Sequence, residues 1–276
     1  MNQELTLGFI GGGNMASALA SGLIGKRCGA SDVHVIDIDP DALARWREQG
    51  VSTAAAPNDT LSSRRVWIFA VKPQVMKETV AQCRPFLRPD TLVISIAAGI
   101  DSGTLARWLG GDTPWTRLIR SMPNTPSLIG AGATGLLALP GVSEDDRAVA
   151  QLLFKAVGEF IWVDDDTQLD AVTALSGSGP AYVFLFLEAL IQGGLDLGLN
   201  AEQSRKLALA TLHGATELAA LSPESPATLR ERVTSKGGTT AAALAVFEQQ
   251  GFAPLVRQAM RSAYERAGEL ATELSK

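Results

Sequence analysis

Short apolar runs alternate with longer amphipathic stretches through the first 164 residues of this 276-residue chain. The runs LTLGFI (5–10), VHVIDI (33–38), RVWIFAV (65–71), TLVISIA (91–97) and WTRLIRSM (115–122) read as strands, and the segments between them carry helical periodicity. Such alternation predicts parallel strand–helix–strand units, with helices covering the faces of one sheet. ATGLLAL (133–139) and EFIWV (159–163) are two further candidate strands. They flank a helix predicted over 143–157, which Ser143 and an acidic first turn open, and they bring the sheet to seven or eight strands.

Beyond the acidic run Asp164, Asp165 and Asp166 the strand signal disappears. Ala/Leu-rich segments predict helices over 167–175, 180–198, 201–220, 226–233, 238–249 and 252–274. The chain therefore divides into an α/β domain, 1–164, and an all-α domain, 165–276. Segment 180–198 is apolar on nearly every face, with Tyr182, Phe184, Leu185, Phe186 and Leu187 close together, and is expected to be buried all round. A helical domain this small can scarcely hide it alone. Self-association through the helical half is the expected solution.

Composition narrows the function classes. A hydrophobic fraction of 46% and a charged fraction of 19% describe an ordinary folded chain. The net charge of -5 and the lack of a basic patch argue against a nucleic-acid partner. No basic stretch precedes an apolar run at the N-terminus, and no segment offers about 18 uninterrupted apolar residues, so no membrane segment and a cytoplasmic location are expected. Cys28 and Cys83 make neither a disulfide framework nor a zinc set. With only His34 and His213, neither a metal site nor a Ser-His-Asp hydrolase is expected.

The segment GFIGGGNMA, from Gly8 to Ala16, lies directly between the first strand and the first helical pattern. This context identifies a dinucleotide-binding, Rossmann-type turn. Gly11 permits the tight turn, Gly13 lets the backbone approach a pyrophosphate, and Ala16 lets the helix pack closely on the sheet. Ile10, Gly12, Asn14 and Met15 complete the expected phosphate-binding segment, since a helix N-terminus offers free N–H groups to an anion. Asp37, ending the second strand, suits the ribose hydroxyls of adenosine, and Asp39 adds charge nearby. Either acid alternatively faces solvent in the turn. Two carboxylates there favour NADH, because a 2′-phosphate would meet negative charge. Lys72 follows the third strand, beside a phosphate or simply solvated.

Further motifs go beyond a generic nucleotide fold: AVKPQ (70–74), SIAAGI (95–100), RSMPNTP (120–126), SGSGPAY (176–182) and VTSKGGTTAAAL (233–244). Together they closely resemble the pyrroline-5-carboxylate reductase family, over nearly the whole chain. The resemblance implies a Rossmann-type N-terminal domain with an all-α dimerisation domain, NADPH as the habitual cofactor, 1-pyrroline-5-carboxylate as substrate, and dimers or larger assemblies up to a decamer. It places Ala70, Val71, Lys72 and Pro73 at the cofactor, Ile96, Ala97 and Ala98 beside the nicotinamide, and Asn58 near the adenosine. Met122, Pro123 and Asn124 are implied at the nicotinamide end. With Asp37 and Asp39 pointing to NADH, the cofactor expectation is NADPH or NADH.

Reducing a cyclic imine needs a hydride on carbon and a proton on nitrogen, so positioning supplies much of the catalysis and scarce histidine is no obstacle. Gly237 and Gly238 open a predicted helix whose amides suit the substrate carboxylate, a role the resemblance also implies. Thr239 and Thr240 either bind substrate or cap that helix. By the resemblance, the Thr240 hydroxyl reaches the ring nitrogen, with a possible proton-relay role that makes it the catalytic candidate. Ser176 and Ser178 lie in an expected polar turn along the cleft, where Ser178 alternatively caps the next helix. Ser235 either contacts substrate or shapes its loop, and Glu224 reads as a surface acid. The rival β-hydroxyacid dehydrogenase reading needs a lysine that the stretch SGSGPAYVF lacks.

Overall fold

The computed structural model, which describes residues 5–275, has strands β1 (Leu7–Ile10), β2 (Val33–Ile36), β3 (Ser52–Ala54), β4 (Val66–Phe69), β5 (Leu92–Ser95), β6 (Leu118–Met122), β7 (Gly132–Ala138) and β8 (Gly158–Val163). They pair into one sheet in the order β3-β2-β1-β4-β5-β6-β7-β8. Strands β1 to β6 run parallel, β7 is antiparallel to β6, and β8 is parallel to β7. Every residue of β1, β2, β4 and β5 is buried, as expected for a sheet covered on both faces. The eight strands include β3, a three-residue edge strand that periodicity did not reveal.

Helices α1 (Asn14–Ser21), α2 (Pro40–Glu48), α3 (Asp59–Ser62), α4 (Pro73–Cys83), α5 (Ser102–Gly110) and α6 (Glu144–Lys155) connect the strands. One core layer joins Leu19 and Leu23 to Trp46, Leu153 and Phe154. The other joins Trp67 and Phe69 to Met76, Val80, Leu105 and Leu109. Because the first six strands are parallel, the loops after β1, β2, β4, β5 and β6 share one edge of the sheet, where open α/β sheets bind ligands.

The remaining helices are α7 (Asp166–Val172), α8 (Gly179–Asp196), α9 (Ala201–Leu221), α10 (Pro226–Arg232), α11 (Thr239–Gln249) and α12 (Phe252–Leu274). A π-helical turn, Thr173–Gly177, follows α7. Packing groups residues through Ser178 together with those from Ala263 onward into one unit, and Gly179–Ser262 into a second. The packing boundary thus lies beyond the expected 164/165 division. Helix α7 stays with the sheet because Asp166 bonds Ser102 and Arg120, and because Leu169 is buried against Gly135.

Within the second unit, α8 packs along α9, and Phe186, Phe247 and Phe252 form an aromatic cluster with centroids 5.2 and 6.2 Å apart. Within a single chain no residue of α8 is fully buried, and Phe184 and Leu185 are 58% and 69% exposed, which agrees with the expectation that the helical half cannot hide 180–198 alone. The unit has too few helices to surround α8, so its apolar face is open in a single chain. By length and composition alone, the helical run Asp166–Asp196 is long and apolar enough to cross a membrane.

Candidate active site

The turn after β1 is built on steric necessity. Gly11 has φ +100°, and a Cβ there would lie 2.6 Å from the Ala70 carbonyl oxygen, so the β1 and β4 turns touch backbone to backbone. The next residue, Gly12, is held at both its N–H and its C=O. Gly12 N–H donates to Asp37 Oδ2 at 2.6 Å, and Trp46 Nε1–H donates to the Gly12 carbonyl at 2.9 Å. Trp46 is buried and stacks on Phe9. Gly13, in contrast, is exposed, and a Cβ on it would meet nothing within 4 Å. It is the N-cap of α1, with no side-chain cap bond, so the first-turn amides around Asn14 and Met15 face a space that protein atoms leave open.

Two of the expected cofactor residues lie apart from this opening. Gly8 sits inside β1 against Leu61, where a Cβ would approach the Leu61 side chain to 2.7 Å. Ile10 buries its side chain in the core and contributes only its carbonyl, which accepts from Ala70 N–H at 2.7 Å. Gly8 and Ile10 share one face of β1, and the strand's pleat turns that face into the core.

Asp37 is a bracing residue of the turn. Its Oδ2 holds Gly12 and its Oδ1 accepts from Asp39 N–H at 2.9 Å, while Asp39 caps α2 through Asp41 N–H at 3.0 Å. Between them Ile38 is 91% exposed. Asn58 caps α3 by accepting from Thr60 N–H at 3.0 Å and is exposed. Val71 and Ala70 are half-buried at the end of β4, Lys72 is exposed as the N-cap of α4, and Pro73 is its first residue. The missed member of this group is Trp46. Its signal was an indole on the polar helix PDALARWRE at the buried spacing Ala42, Leu43, Trp46.

Around the ends of β5 and β6, Ile96 and Ala98 are half-buried and Ala97 is buried, with Ala97 N–H donating to Ser95 Oγ. Ser121 Oγ–H donates to the Ser95 carbonyl at 2.9 Å, which joins the two strand ends. Met122 lies against Gly177, and Pro123 is buried. The Asn124 amide is spent on backbone: Nδ2–H donates to the Ser176 carbonyl at 2.9 Å, and Oδ1 accepts from Ala133 N–H at 2.8 Å. The Asn124 side chain therefore ties Ser176 to the segment that follows β6 and to the start of β7.

The expected polar turn at 176–180 is absent. Thr173–Gly177 is π-helical, Ser178 has helical angles, and Ser178 N–H donates to the Thr173 carbonyl at 2.9 Å. The wide turn absorbs the glycines and precedes Pro180, which stands near the start of α8, where a missing N–H costs little. Ser178 is consequently no cap, and Ser176 Oγ–H bonds the Val172 carbonyl at 3.1 Å.

In the second unit, Gly238 is the N-cap of α11 and has no side-chain cap bond, so Thr239 and Thr240 are the first two helical residues and neither caps the helix. Gly237 has φ +73°, Gly238 N–H donates to the Ser235 carbonyl at 3.0 Å, and the Ser235 side chain packs against Gly238. Thr239 is exposed and Thr240 half-buried. Glu224 pairs with Arg232, which makes it a local structural acid.

A family model described as pyrroline-5-carboxylate reductase dimerisation matches residues 166–270, and one described as NADP oxidoreductase, coenzyme F420-dependent, matches residues 6–99. The chain is 42% identical over 269 residues to a pyrroline-5-carboxylate reductase of Pseudomonas aeruginosa, covering 97% of each chain. It is 40% identical to that of Haemophilus influenzae, covering 98% of this chain and 99% of the relative. A solved pyrroline-5-carboxylate reductase from Coxiella burnetii superposes with TM-score 0.90 at 37% identity, over 98% of this chain and 99% of the other. The Plasmodium falciparum pyrroline carboxylate reductase, solved with NADP bound, gives TM-score 0.85 at 28% identity, over 97% and 98%.

Proposed function

This chain belongs to the pyrroline-5-carboxylate reductase family, and from that premise we propose how its residues carry out NAD(P)H-dependent reduction of the C=N bond of 1-pyrroline-5-carboxylate to L-proline. The observation that carries the reading is the uncapped start of α1 behind Gly13, an open, amide-lined space at the ligand-binding edge of the sheet. A dinucleotide pyrophosphate fits there: the amides of Gly13, Asn14 and Met15 hold it, while Asp37 and Trp46 keep the turn in shape. Ala70 to Pro73 and Asn58 line the path of the adenosine half. Ile96, Ala97, Ala98, Met122 and Pro123 border the nicotinamide.

A bound reduced nicotinamide supplies the hydride. The chain's own task is to orient the imine and manage one proton. In this proposal the Gly237–Gly238 amides hold the substrate carboxylate and Thr240 Oγ hydrogen-bonds the ring nitrogen, and Ser176, Ser178, Ser235 and Thr239 are the further substrate-binding residues. Once the nitrogen is protonated the carbon is electrophilic, so correct placement lowers the barrier without a strong acid. The division of labour follows 1–164 for the cofactor and 165–276 for substrate and self-association.

The dimerisation match over 166–270 and the open apolar face of α8 agree on self-association through the helical half. We propose a dimer as its basic unit, with larger assemblies built from dimers. The two free thiols, Cys28 and a Cys83 whose pKa burial pushes up to about 12, suit the reducing cytoplasmic setting expected from the sequence.

For the cofactor, the carboxylates of Asp37 and Asp39 at the end of β2 support NADH use at least equal to NADPH use, because a 2′-phosphate brought to them adds like charge. Steady-state kinetics with both coenzymes at saturating 1-pyrroline-5-carboxylate tests this. A kcat/KM for NADPH more than about tenfold above that for NADH, a difference near 1.4 kcal/mol, would overturn the coenzyme assignment.

A further inference from the structure

Arg120 is a charge inside the sheet. It stands on β6 opposite Ser95 of β5, is 2% exposed, and reaches Asp166 Oδ1 at 2.6 Å and Asp170 Oδ1 at 3.7 Å. The same Asp166 carboxylate accepts from Ser102 Oγ–H at 2.6 Å and from Ser102 N–H at 3.1 and 3.2 Å. One carboxylate therefore joins β6, the first residue of α5 and the start of α7.

Those three attachments enclose one segment. The loop from Ile96 to Asp101 leaves β5 at Ser95, where Ser121 of β6 holds the carbonyl, and ends at Ser102, where Asp166 holds the amide and hydroxyl. Just beyond the end of β6, Asn124 grips the Ser176 carbonyl, so α7 is fixed to the strand at its start and its π-helical turn to the segment that follows the strand. Asp166 itself is far along the chain from the loop it anchors.

We propose that Asp166 is a positioning residue for hydride transfer, acting through Ser102 and Arg120 to hold the Ala97–Asp101 loop and the end of β6 as one frame. This rests on the reading that this loop borders the nicotinamide. Hydride transfer depends steeply on donor–acceptor placement, so loosening the frame slows the chemical step more than it weakens the pyrophosphate grip at the distant glycine turn.

The test compares wild type with Asp166→Asn, Ser102→Ala and Asp146→Asn. Asp146 is the control, a fully buried carboxylate paired with Arg117 and Arg65 and serving the opposite end of β6. Each enzyme is assayed with 1-pyrroline-5-carboxylate and with NADH deuterated at the transferred position, and its melting temperature is recorded. For Asp166→Asn, kcat should fall at least about tenfold and the isotope effect on kcat rise, with the KM for NADH changed less than about threefold. Ser102→Ala, which removes the 2.6 Å hydroxyl bond alone, should move the same way by a smaller factor and keeps the test available if Asp166→Asn does not fold.

Asp146→Asn should lower the melting temperature while leaving the isotope effect at the wild-type value. Wild-type kcat and isotope effect in Asp166→Asn, or in Ser102→Ala where only that variant folds, would overturn the inference and leave the reductase reading standing. A rise in the isotope effect equal to that of Asp146→Asn would overturn it as well. A wild-type protein that does not reduce 1-pyrroline-5-carboxylate would overturn the functional reading and this inference together.

Discussion

Gly13→Ala separates what the glycine turn does for folding from what it does for the cofactor. Gly13 has φ -75° and ψ -169°, angles that alanine adopts freely, and its Cβ position is clear of protein atoms to 4 Å. Alanine is a poorer N-cap than glycine by about 0.5–1 kcal/mol. Its narrower unfolded ensemble returns about 0.4–1 kcal/mol. The two nearly cancel, so the melting temperature should move by no more than about 2–4 °C. The new methyl group nevertheless fills the space that the proposed function gives to the pyrophosphate, and a rise in Kd for NADH of at least about tenfold, near 1.4 kcal/mol, is expected. Gly11→Ala is the contrasting case: a φ of +100° and a 2.6 Å approach to the Ala70 carbonyl leave the side chain no room, and the cost falls on folding. Titration calorimetry with NADH and a thermal melt on both variants read the two effects apart. Wild-type NADH affinity in Gly13→Ala would refute the assignment of this space to the pyrophosphate.

Trp46→Phe leaves the buried Gly12 carbonyl without its donor, which should cost about 1–3 kcal/mol of stability and raise the KM for NADH with little change in kcat; an unchanged melting temperature and KM would contradict the clamp. His34 is buried, and burial first, then the nearby Arg64, lowers its pKa to about 4, against 6.5 in the unfolded chain. The unfolded state then binds the extra proton between those values, so stability should be full above about pH 6.5 and fall by on the order of 3 kcal/mol as pH drops toward 4. Denaturant midpoints at pH 7 and pH 5 check this, and His34→Gln should flatten the slope. Thr240→Ala should cut kcat by about 10- to 100-fold while NADH affinity stays near wild type, and wild-type kinetics would remove this hydroxyl from the mechanism.

The sheet was legible because its signals are local. Buried parallel strands give uninterrupted apolar runs, and GFIGGGNMA stands between a strand and a helix, so both the sheet and the α1 turn follow from sequence. β3 escaped because Ser52–Ala54 is too short, too polar and too near the sheet edge for any period to show. Ser176 to Pro180 misled for a different reason. Glycine, serine and proline signal a break on average, yet the π-helical turn with its Ser178-to-Thr173 bond accommodates them inside helix. Trp46 and Asp166 act across long stretches of sequence, on Gly12 and Ser102, and such pairings exist only once the chain is folded. Phe184 and Leu185 call for cover that one chain does not provide, as the small size of the helical half already implies from sequence.

Coupled turnover tests the central claim most directly. NADH and NADPH oxidation is followed at 340 nm on adding 1-pyrroline-5-carboxylate, and the product is resolved on a chiral column. Coenzyme oxidation that depends on the imine, with L-proline formed one for one, is the predicted result. Tight coenzyme binding without imine-dependent oxidation would contradict it and make the chain a nucleotide-binding protein on a reductase fold.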